Sequence, residues 1–396
     1  MLSTTASTAI PDAQTVAVLE RLVGFDSTSS KSNLSLVDWI ADYLDGAAAR
    51  CRRWHSPDRD KAGLVVRVGP EIDAPRGGGL VLSGHLDVVP ATEDGWLGDP
   101  FNLRDAGDRW IGRGSCDMKG FVAAAIETAR RSAERPLRAP LFLLLTYDEE
   151  VGSVGIQQLL AERGGDLELP RAVVIGEPTS LGIVNRHKGH LRLRVEVRGR
   201  AAHSGFPHRG QSAIEPAAEI VLALQRLRQE LEVERLPSSR HFPDVPFAAL
   251  NVGTLRGGSA VNVVPELCEL GLGVRLLPGL DVEELETRIR AAIEGASDAE
   301  VEVTVERGNL SPPLETADSA RLVRTLVELA GSAPEAAAFS SDGGWLSASG
   351  HDAVLWGPGS IEVAHRPEEF LPKTELALCA RGLDLLVDRF CRGDHA

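Results

Sequence analysis

The sequence is poor in cysteine, and its cysteines form no recognisable pairs. The five residues occur in no Cys-x-x-Cys motif and are spread along the chain as Cys51, Cys116, Cys268, Cys379 and Cys391. This spacing argues against a zinc site built from thiolates and against a framework of disulfides. We therefore expect a reducing compartment, the cytoplasm. The opening segment MLSTTASTAIPDAQT agrees, because it lacks the basic and apolar regions of a secretory leader.

Long apolar runs and an excess of positive charge are also missing. No apolar run approaches the ~20 residues that cross a bilayer, so we expect no membrane-spanning segment. The formal net charge is −15. Nucleic acid is then an unfavourable partner, because binding it requires a basic surface that releases counterions. An acidic chain is compatible with metal cations and with a cationic substrate.

The sequence does contain several apolar segments that are separated by helical patterns. The length of 396 residues predicts two or three domains. The apolar segments read GGLVLSG (78–84), PLFLLLTYDEE (140–150), RAVVIGEP (171–178) and DAVLWGPG (352–359). Continuous apolar strands are typical of parallel sheets that helices cover on both faces. We therefore predict an α/β fold with a mixed, mostly parallel sheet flanked by helices.

A different pattern occupies the middle of the chain. Three segments alternate between polar and apolar residues, namely HLRLRVEVRGRA (190–201), CELGLGVRLL (268–277) and AEVEVTVERG (299–308). Such alternation is typical of an antiparallel sheet with one solvent-facing side. Helical patterns lie between them at 212–231 and 281–295, and the order of elements fits a ferredoxin-like α+β unit. We predict an inserted domain at 185–308 that divides the α/β domain into 1–184 and 309–396.

Polar side chains follow the ends of the four buried strands. They are His85 and Asp87 after the first, Glu149 and Glu150 after the second, Glu177 after the third and His365 after the fourth, with Asp117 before a helix in GRGSCDMKG. Open α/β sheets bind ligands at the carboxyl ends of their strands. Each signal alone is weak, since a lone histidine is usually a surface residue and Asp117 could cap the helix. Their joint occurrence at strand ends favours one site.

Histidine and carboxylate donors without cysteine suit zinc, cobalt or manganese. Two histidines and three carboxylates are too many for one catalytic zinc. They fit two ions about 3.5–4 Å apart, bridged by a carboxylate and a water. A hydrolase also needs a base that does not bind metal. Within the pair Glu149 and Glu150, one side chain can bind metal while the other takes the proton of the water.

These segments resemble the M20 metallopeptidases, the family of acetylornithine deacetylase, succinyl-diaminopimelate desuccinylase and carboxypeptidase G2. The matching segments are SGHLDVVP, GRGSCDMKG, TYDEEVGSVG, IGEPT, AAHSG and GPGSIEVAHRPEEF. The resemblance implies a zinc-exopeptidase-like catalytic domain with two divalent ions, Zn²⁺ or alternatively Co²⁺ or Mn²⁺. It also implies that the inserted ferredoxin-like domain is a dimerisation or lid domain, through which the chain forms a homodimer.

The resemblance further implies a role for each residue at the strand ends. The metal ligands would be Asp117 as the bridge, His85 and Glu177 at one ion, and Glu150 and His365 at the other. Glu149 would be the general base that activates the bridging water. Asp87 would touch only His85 and orient its imidazole, as metal-bound histidines usually require.

The inserted domain supplies further candidates by the same resemblance. His203 in RAAHSG would stabilise the oxyanion, reaching in from the partner subunit of a dimer. Arg275 in GVRLLPG and Asn262 in AVNVVP would contact the substrate's carboxylate or the tetrahedral centre. Lys188 in HKG is a weaker candidate for substrate contact.

The substrate class follows from the last motif. GPGSIEVAHRPEEF is most similar to the acetylornithine deacetylase branch, which implies hydrolysis of an N-acyl amino acid, N2-acetyl-L-ornithine or a close analogue. FSSDGGWL (339–346) is closer to the desuccinylase branch, so an N-succinyl-diaminopimelate desuccinylase and an M20 dipeptidase or carboxypeptidase stay open. An inactive amino-acid-binding homologue would lack a ligand or the base, and every one of those positions is filled here.

Overall fold

A computed structural model describes residues 10–45, 49–72, 77–92, 94–163, 168–297 and 301–393. Residues 1–9, at the start of the opening segment MLSTTASTAIPDAQT, and residues 299–300, at the start of the last alternating segment, lie outside the described residues. The chain divides into two compact units. The first comprises Met1–Arg186, Leu314–Glu335 and Ser341–Ala396, and the second comprises His187–Pro313 and Ala336–Ser340.

The first unit is an α/β unit built around one large sheet, of which β8 and β16 end in residues of the second unit. Its strands are β1 Arg50–His55, β2 Ala62–Val68, β3 Leu80–His85, β4 Arg104–Asp105, β5 Arg109–Ile111, β6 Leu141–Thr146, β7 Ala172–Ile175, β8 Val184–His187, β15 Leu314–Glu315, β16 Glu335–Ala337, β17 Asp352–Leu355 and β18 Phe370–Pro372. Its helices are α1 Ala13–Val23, α2 Leu34–Leu44, α3 Gly120–Ser132, α4 Val154–Glu162, α7 Arg321–Ala330, α8 Gly343–Ala348 and α9 Lys373–Val387.

The large sheet runs in the order β1-β2-β6-β3-β7-β17-β8-β15, with β16 paired to β8. Its centre, β6-β3-β7-β17, is parallel, whereas β1-β2, β2-β6 and β17-β8 are antiparallel pairs. Strands β3, β6 and β7 are buried along their whole length. They are buried because helices of the first unit, including α3, pack in the same hydrophobic core. The predicted mixed, mostly parallel sheet flanked by helices is confirmed.

Local sequence explains where these elements begin. Helix α1 starts after Asp12, whose side chain accepts a hydrogen bond from the backbone N–H of Thr15 at 2.9 Å. Helix α3 is rich in alanine, which has the highest helix propensity and allows close packing. A short sheet, β18-β5-β4, and the edge strand β1 were absent from the sequence prediction.

The second unit has a four-stranded antiparallel sheet in the order β11-β13-β9-β14. Its strands are β9 Gly189–Arg198, β10 Ala202–His203, β11 Ala249–Gly257, β12 Val263–Val264, β13 Leu267–Leu276 and β14 Glu302–Ser311, and its helices are α5 Ile214–Val233 and α6 Val282–Gly295. Alternate residues of β9 and β13 are buried, and they form the unit's core with residues of α5 and α6. The predicted ferredoxin-like order is confirmed, and β11 is the strand that the alternation did not reveal.

Among the described residues, no helix combines the length and the apolarity that crossing a membrane requires.

Candidate metal centre

The parallel strands β3, β6 and β7 of the first unit bring three chain segments to one edge of the sheet. His85 is the last residue of β3, and it lies opposite Thr146, the last residue of β6. The Glu149–Glu150 turn follows β6, and Glu177 follows β7. The intervening Gly176 is required by packing, since a Cβ there would lie 1.8 Å from the ring of Phe121.

A first group of donors consists of His85, Asp117 and Glu177. One donor atom from each lies within 4.8 Å of the others, and all three side chains are buried. His85 Nε2 is 3.0 Å from Asp117 Oδ1. Asp117 reaches this position from a kinked turn, Ser115–Lys119, that directly precedes α3.

A second group consists of Asp117, Glu150 and His365, again with donor atoms within 4.8 Å of one another. His365 Nε2 is 3.2 Å from Asp117 Oδ2 and 3.0 Å from Glu150 Oε2. The side chain of His365 is 46% exposed, whereas those of Asp117 and Glu150 are buried, so solvent reaches this group on the side of His365. Asp117 therefore presents one oxygen to each group, the arrangement that a bridging carboxylate requires.

Burial shifts the acidity of this cluster. Burial raises the pKa of Glu149 well above its usual value, and the negative charge of Glu177 raises it further. Burial and the charge of Asp117 raise the pKa of Glu177 to about 8. Burial also opposes ionisation of Asp117, but hydrogen bonds with His365 and His85 hold its pKa below the usual range. The centre thus gathers more carboxylates than its two histidines can balance.

The donor set fits divalent metal ions. Each group offers three nitrogen or oxygen donors, as catalytic zinc sites do while keeping a position open for substrate. Added positive charge would also balance the excess of buried carboxylates, because a bound cation reverses the effect that neighbouring anions have on a pKa. Glu149 belongs to neither group.

Asp87 makes more contacts than the sequence indicated. The expectation that it touches only His85 is wrong. Its backbone carbonyl, 2.9 Å from His85 Nδ1, is the closer contact to the ring, and its Oδ1 is 3.7 Å away. The carboxylate accepts hydrogen bonds from Ser29 Oγ at 2.8 Å and from the backbone N–H groups of Glu149 at 3.1 Å and Glu150 at 3.3 Å. Asp87 therefore joins β3 to the turn that carries both glutamates.

We expect Asp87→Ala to lower metal affinity and turnover by about 10–100-fold, because it releases the Glu149–Glu150 turn. Metal titration by calorimetry and steady-state kinetics measure both effects. Asp26→Ala is a matched control, since Asp26 caps a nearby loop through Thr28. An Asp87 variant with natural metal affinity and turnover would contradict this role.

Lys61 also supports this turn, through Asp148, the residue that precedes Glu149. Lys61 Nζ donates to both oxygens of Asp148, at 2.8 and 2.7 Å, and to the carbonyl of Ser29 at 2.5 Å. Ser29 in turn donates to Asp87. Sequence reasoning missed Lys61 and Asp148, because their partners are distant in the chain.

Lys119 has the sequence context of a solvated or helix-start lysine. It is fully buried instead, and its Nζ donates to the carbonyl of Phe25 at 2.8 Å. Burial lowers the pKa of Lys119 to about 7. The neighbouring Cys116 is buried, lies outside both donor groups, and places Sγ 3.5 Å from the carbonyl of Ser360.

The raised pKa values make metal binding pH-dependent. In the metal-free folded state, Glu177 with a pKa of about 8 and His365 with a pKa of about 10 keep protons that the unfolded chain releases at lower pH. The stability of the metal-free protein falls with rising pH wherever the folded state binds more protons than the unfolded state. Metal binding strengthens over the same pH range, because the ligands must be deprotonated to bind the ion. We therefore expect the increase in Tm on adding Zn²⁺ to grow from about pH 6 to pH 8. Differential scanning fluorimetry of metal-free and metal-loaded protein tests this, and a constant increase would contradict it.

The four remaining candidates belong to the second unit. His203 lies on β10, and its Nδ1 accepts a hydrogen bond from the N–H of Gly205 at 3.0 Å. Asn262 is exposed, and its backbone carbonyl accepts a hydrogen bond from the backbone N–H of Ser204 at 2.9 Å. Arg275 is exposed on β13, opposite His190. Lys188 is buried, and its Nζ donates to the carbonyl of Val245 at 2.6 Å.

Comparison with known proteins agrees with this geometry. The sequence profile of peptidase family M20/M25/M40 matches residues 81–389. The chain is 35% identical to an acetylornithine deacetylase from Myxococcus xanthus over 392 residues, 95% of this chain and 97% of that protein. It is 33% identical to an acetylornithine deacetylase from Edwardsiella ictaluri over 373 residues, 93% of this chain and 94% of that protein.

Solved structures share the fold at lower sequence identity. An M20 family metallo-carboxypeptidase from Sulfolobus solfataricus superposes with a TM-score of 0.76 at 16% identity, covering 94% of this chain and 99% of that one. An aminopeptidase from Bacillus cereus gives a TM-score of 0.73 at 20% identity, covering 96% of this chain and 98% of that one.

Proposed function

The chain belongs to peptidase family M20/M25/M40, a family of metallohydrolases, and from this premise we propose that it removes the acetyl group of N2-acetyl-L-ornithine or a close analogue. The observation that carries the proposal is the pair of donor groups that share Asp117, with Glu149 beside them and outside both. The substrate is supported by relatives named acetylornithine deacetylase, which are 30–35% identical over most of the chain.

In this proposal the residues of the two donor groups hold two divalent ions, Zn²⁺ or alternatively Co²⁺ or Mn²⁺. His85, Asp117 and Glu177 hold one, and Asp117, Glu150 and His365 hold the other. When bound, such ions lower the pKa of water and polarise the carbonyl of the scissile amide.

Glu149 acts as the general base and then as the general acid. Its carboxylate takes a proton from the attacking water and delivers it to the nitrogen of the leaving amine, so that a carboxylate and a free amine result. Burial raises the pKa of Glu149, which makes its carboxylate a stronger base for taking the proton of the water. Asp87 contributes by holding the backbone N–H of Glu149.

We also propose roles for the second unit, supported by the family resemblance. In the proposed domain division, 1–184 and 309–396 form the catalytic domain and 185–308 form the dimerisation or lid domain. His203 from the partner subunit would stabilise the oxyanion. Arg275, Asn262 and, more weakly, Lys188 would contact the carboxylate end of the substrate or the tetrahedral centre.

A second candidate substrate is N-succinyl-diaminopimelate. It is favoured by FSSDGGWL (339–346), in which Asp342 is buried near the centre and accepts a hydrogen bond from Thr146 Oγ1 at 2.7 Å. A panel of N2-acetyl-L-ornithine, N-succinyl-diaminopimelate and simple dipeptides, assayed with metal-loaded protein, separates the candidates. We expect the highest kcat/KM for acetylornithine. A higher value for either other class would overturn the proposed substrate while leaving the metallohydrolase assignment intact.

A further inference from the structure

Glu369 lies four residues after His365, in the loop that leads to β18. Its side chain is 1% exposed. Oε1 accepts hydrogen bonds from two consecutive backbone N–H groups, those of Cys116 at 2.9 Å and Asp117 at 3.0 Å. The backbone carbonyl of Glu369 accepts a third, from Gly112 at 3.0 Å. One residue of the His365 loop thus holds the main chain of the shared ligand Asp117.

The other carboxylate oxygen of Glu369 meets Arg113. Arg113 Nη1 donates to Oε2 at 2.8 Å, and both side chains are 1% exposed. The guanidinium also donates to the carbonyls of Arg366 at 3.4 Å and Pro90 at 3.2 Å. Arg113 therefore connects the loop after β3, the turn that carries Asp117 and the loop that carries His365.

Burying such an ion pair is energetically unfavourable. Taking two charges out of water costs free energy, and their mutual attraction offsets this cost only when the geometry is excellent. Replacing a buried ion pair by apolar side chains of similar size often leaves the stability of the protein unchanged. In addition, Glu369 places another carboxylate next to a centre that already holds an excess of them. Stability alone is therefore a poor explanation for this pair, whereas fixing the segments that carry metal ligands requires directional contacts of this kind.

We propose that Glu369, with Arg113, is a positioning residue that fixes Asp117 relative to His365 and so sets the affinity of the second donor group for its metal ion. Glu369 touches neither substrate nor metal in this account. It acts through the backbone of Asp117. The inference rests on the proposed metal centre, but it holds whichever N-acyl amino acid is the substrate.

Two double variants isolate the contact to the Asp117 turn. The glutamine double variant, Arg113→Met with Glu369→Gln, removes both charges but keeps an oxygen that can accept from the two N–H groups. The methionine double variant, Arg113→Met with Glu369→Met, removes the charges and the acceptor, with a side chain of nearly the same size. Glu368→Met is the control in the same loop, because Glu368 contacts Arg104 and the N–H of Leu97 instead.

The readouts are Co²⁺ affinity by calorimetry and the visible absorption of the Co²⁺-loaded protein, neither of which needs a substrate. We expect the methionine double variant to bind the ion of the second donor group about 10–100-fold less tightly and to show an altered Co²⁺ spectrum. The glutamine double variant and the Glu368→Met control should keep the natural spectrum. In the methionine double variant, we expect kcat to fall together with the metal affinity, while KM stays unchanged.

Equal Co²⁺ affinity and equal spectra in the two double variants would overturn the positioning role. If the methionine double variant does not fold, Glu369→Asp in the natural background gives the same comparison, since it shortens the side chain while keeping its charge. Natural affinity in that variant would likewise overturn the inference. Failure of acetylornithine as a substrate would leave these affinities unchanged, so the two proposals fail separately.

Discussion

Glu149→Gln is expected to lower kcat by about 10²–10⁴-fold while two metal ions remain bound, because the amide cannot accept the proton of the attacking water. Glu149 lies outside both donor groups, so its loss should not remove a ligand. The change from carboxylate to amide keeps the size of the side chain and the backbone hydrogen bond to Asp87. Steady-state kinetics together with metal analysis by mass spectrometry measure the two quantities on the same sample.

Glu162→Gln provides the matched control, because Glu162 is an exposed glutamate at the end of α4. It should have natural kcat. Full turnover by Glu149→Gln with metals bound would contradict the assignment of Glu149 as the base. Loss of turnover together with loss of metal would instead make Glu149 a ligand.

Asp117→Asn is expected to lower the affinity of both donor groups for metal, by more than about 100-fold at each. Asp117 places Oδ1 near His85 and Oδ2 near His365, so a single substitution affects both groups. Asparagine keeps the volume and one oxygen but lacks the negative charge. Its backbone N–H can still donate to Glu369.

The matched comparison for Asp117 is His85→Ala, which removes a donor from the first group alone. Metal content after dialysis should approach zero for Asp117→Asn and one equivalent for His85→Ala. Two tightly bound equivalents in Asp117→Asn would contradict the shared-ligand arrangement. Circular dichroism verifies that both variants are folded.

The sequence allowed the central sheet to be predicted because its strands are predominantly apolar. Strand β3, for example, is buried at every position, and the donor His85 is its last residue. The alternation of β9 likewise predicted a sheet with one covered face. Edge strand β1, RCRRWH, gives no such signal, because most of its residues are exposed.

Most of the donor residues could be predicted because they lie at or just after the end of a strand whose direction is fixed by the parallel sheet, whereas Asp117 lies in the turn before α3. Their supporting contacts could not. Arg113 and Glu369 are 256 positions apart, and nothing local in either segment indicates a pairing. Lys119 likewise gives no local signal of burial, because lysine is usually a surface residue. Its burial depends on how the chain packs around the Asp117 turn.

The role predicted for Asp87 was incomplete for a similar reason. Its position two residues after His85 suggested contact with the imidazole, and its carbonyl makes that contact. The hydrogen bonds to Glu149 and Glu150 arise because β6 lies beside β3 in the sheet, an order that the sequence does not specify.

The most direct test of the account is a metal titration of activity. Chelator-treated protein would be assayed on N2-acetyl-L-ornithine after addition of Zn²⁺ or Co²⁺ in increasing equivalents per chain. We predict no turnover without metal and a maximum once both donor groups are filled, at two equivalents. Turnover that persists without metal, or that does not respond to added metal, would contradict the account.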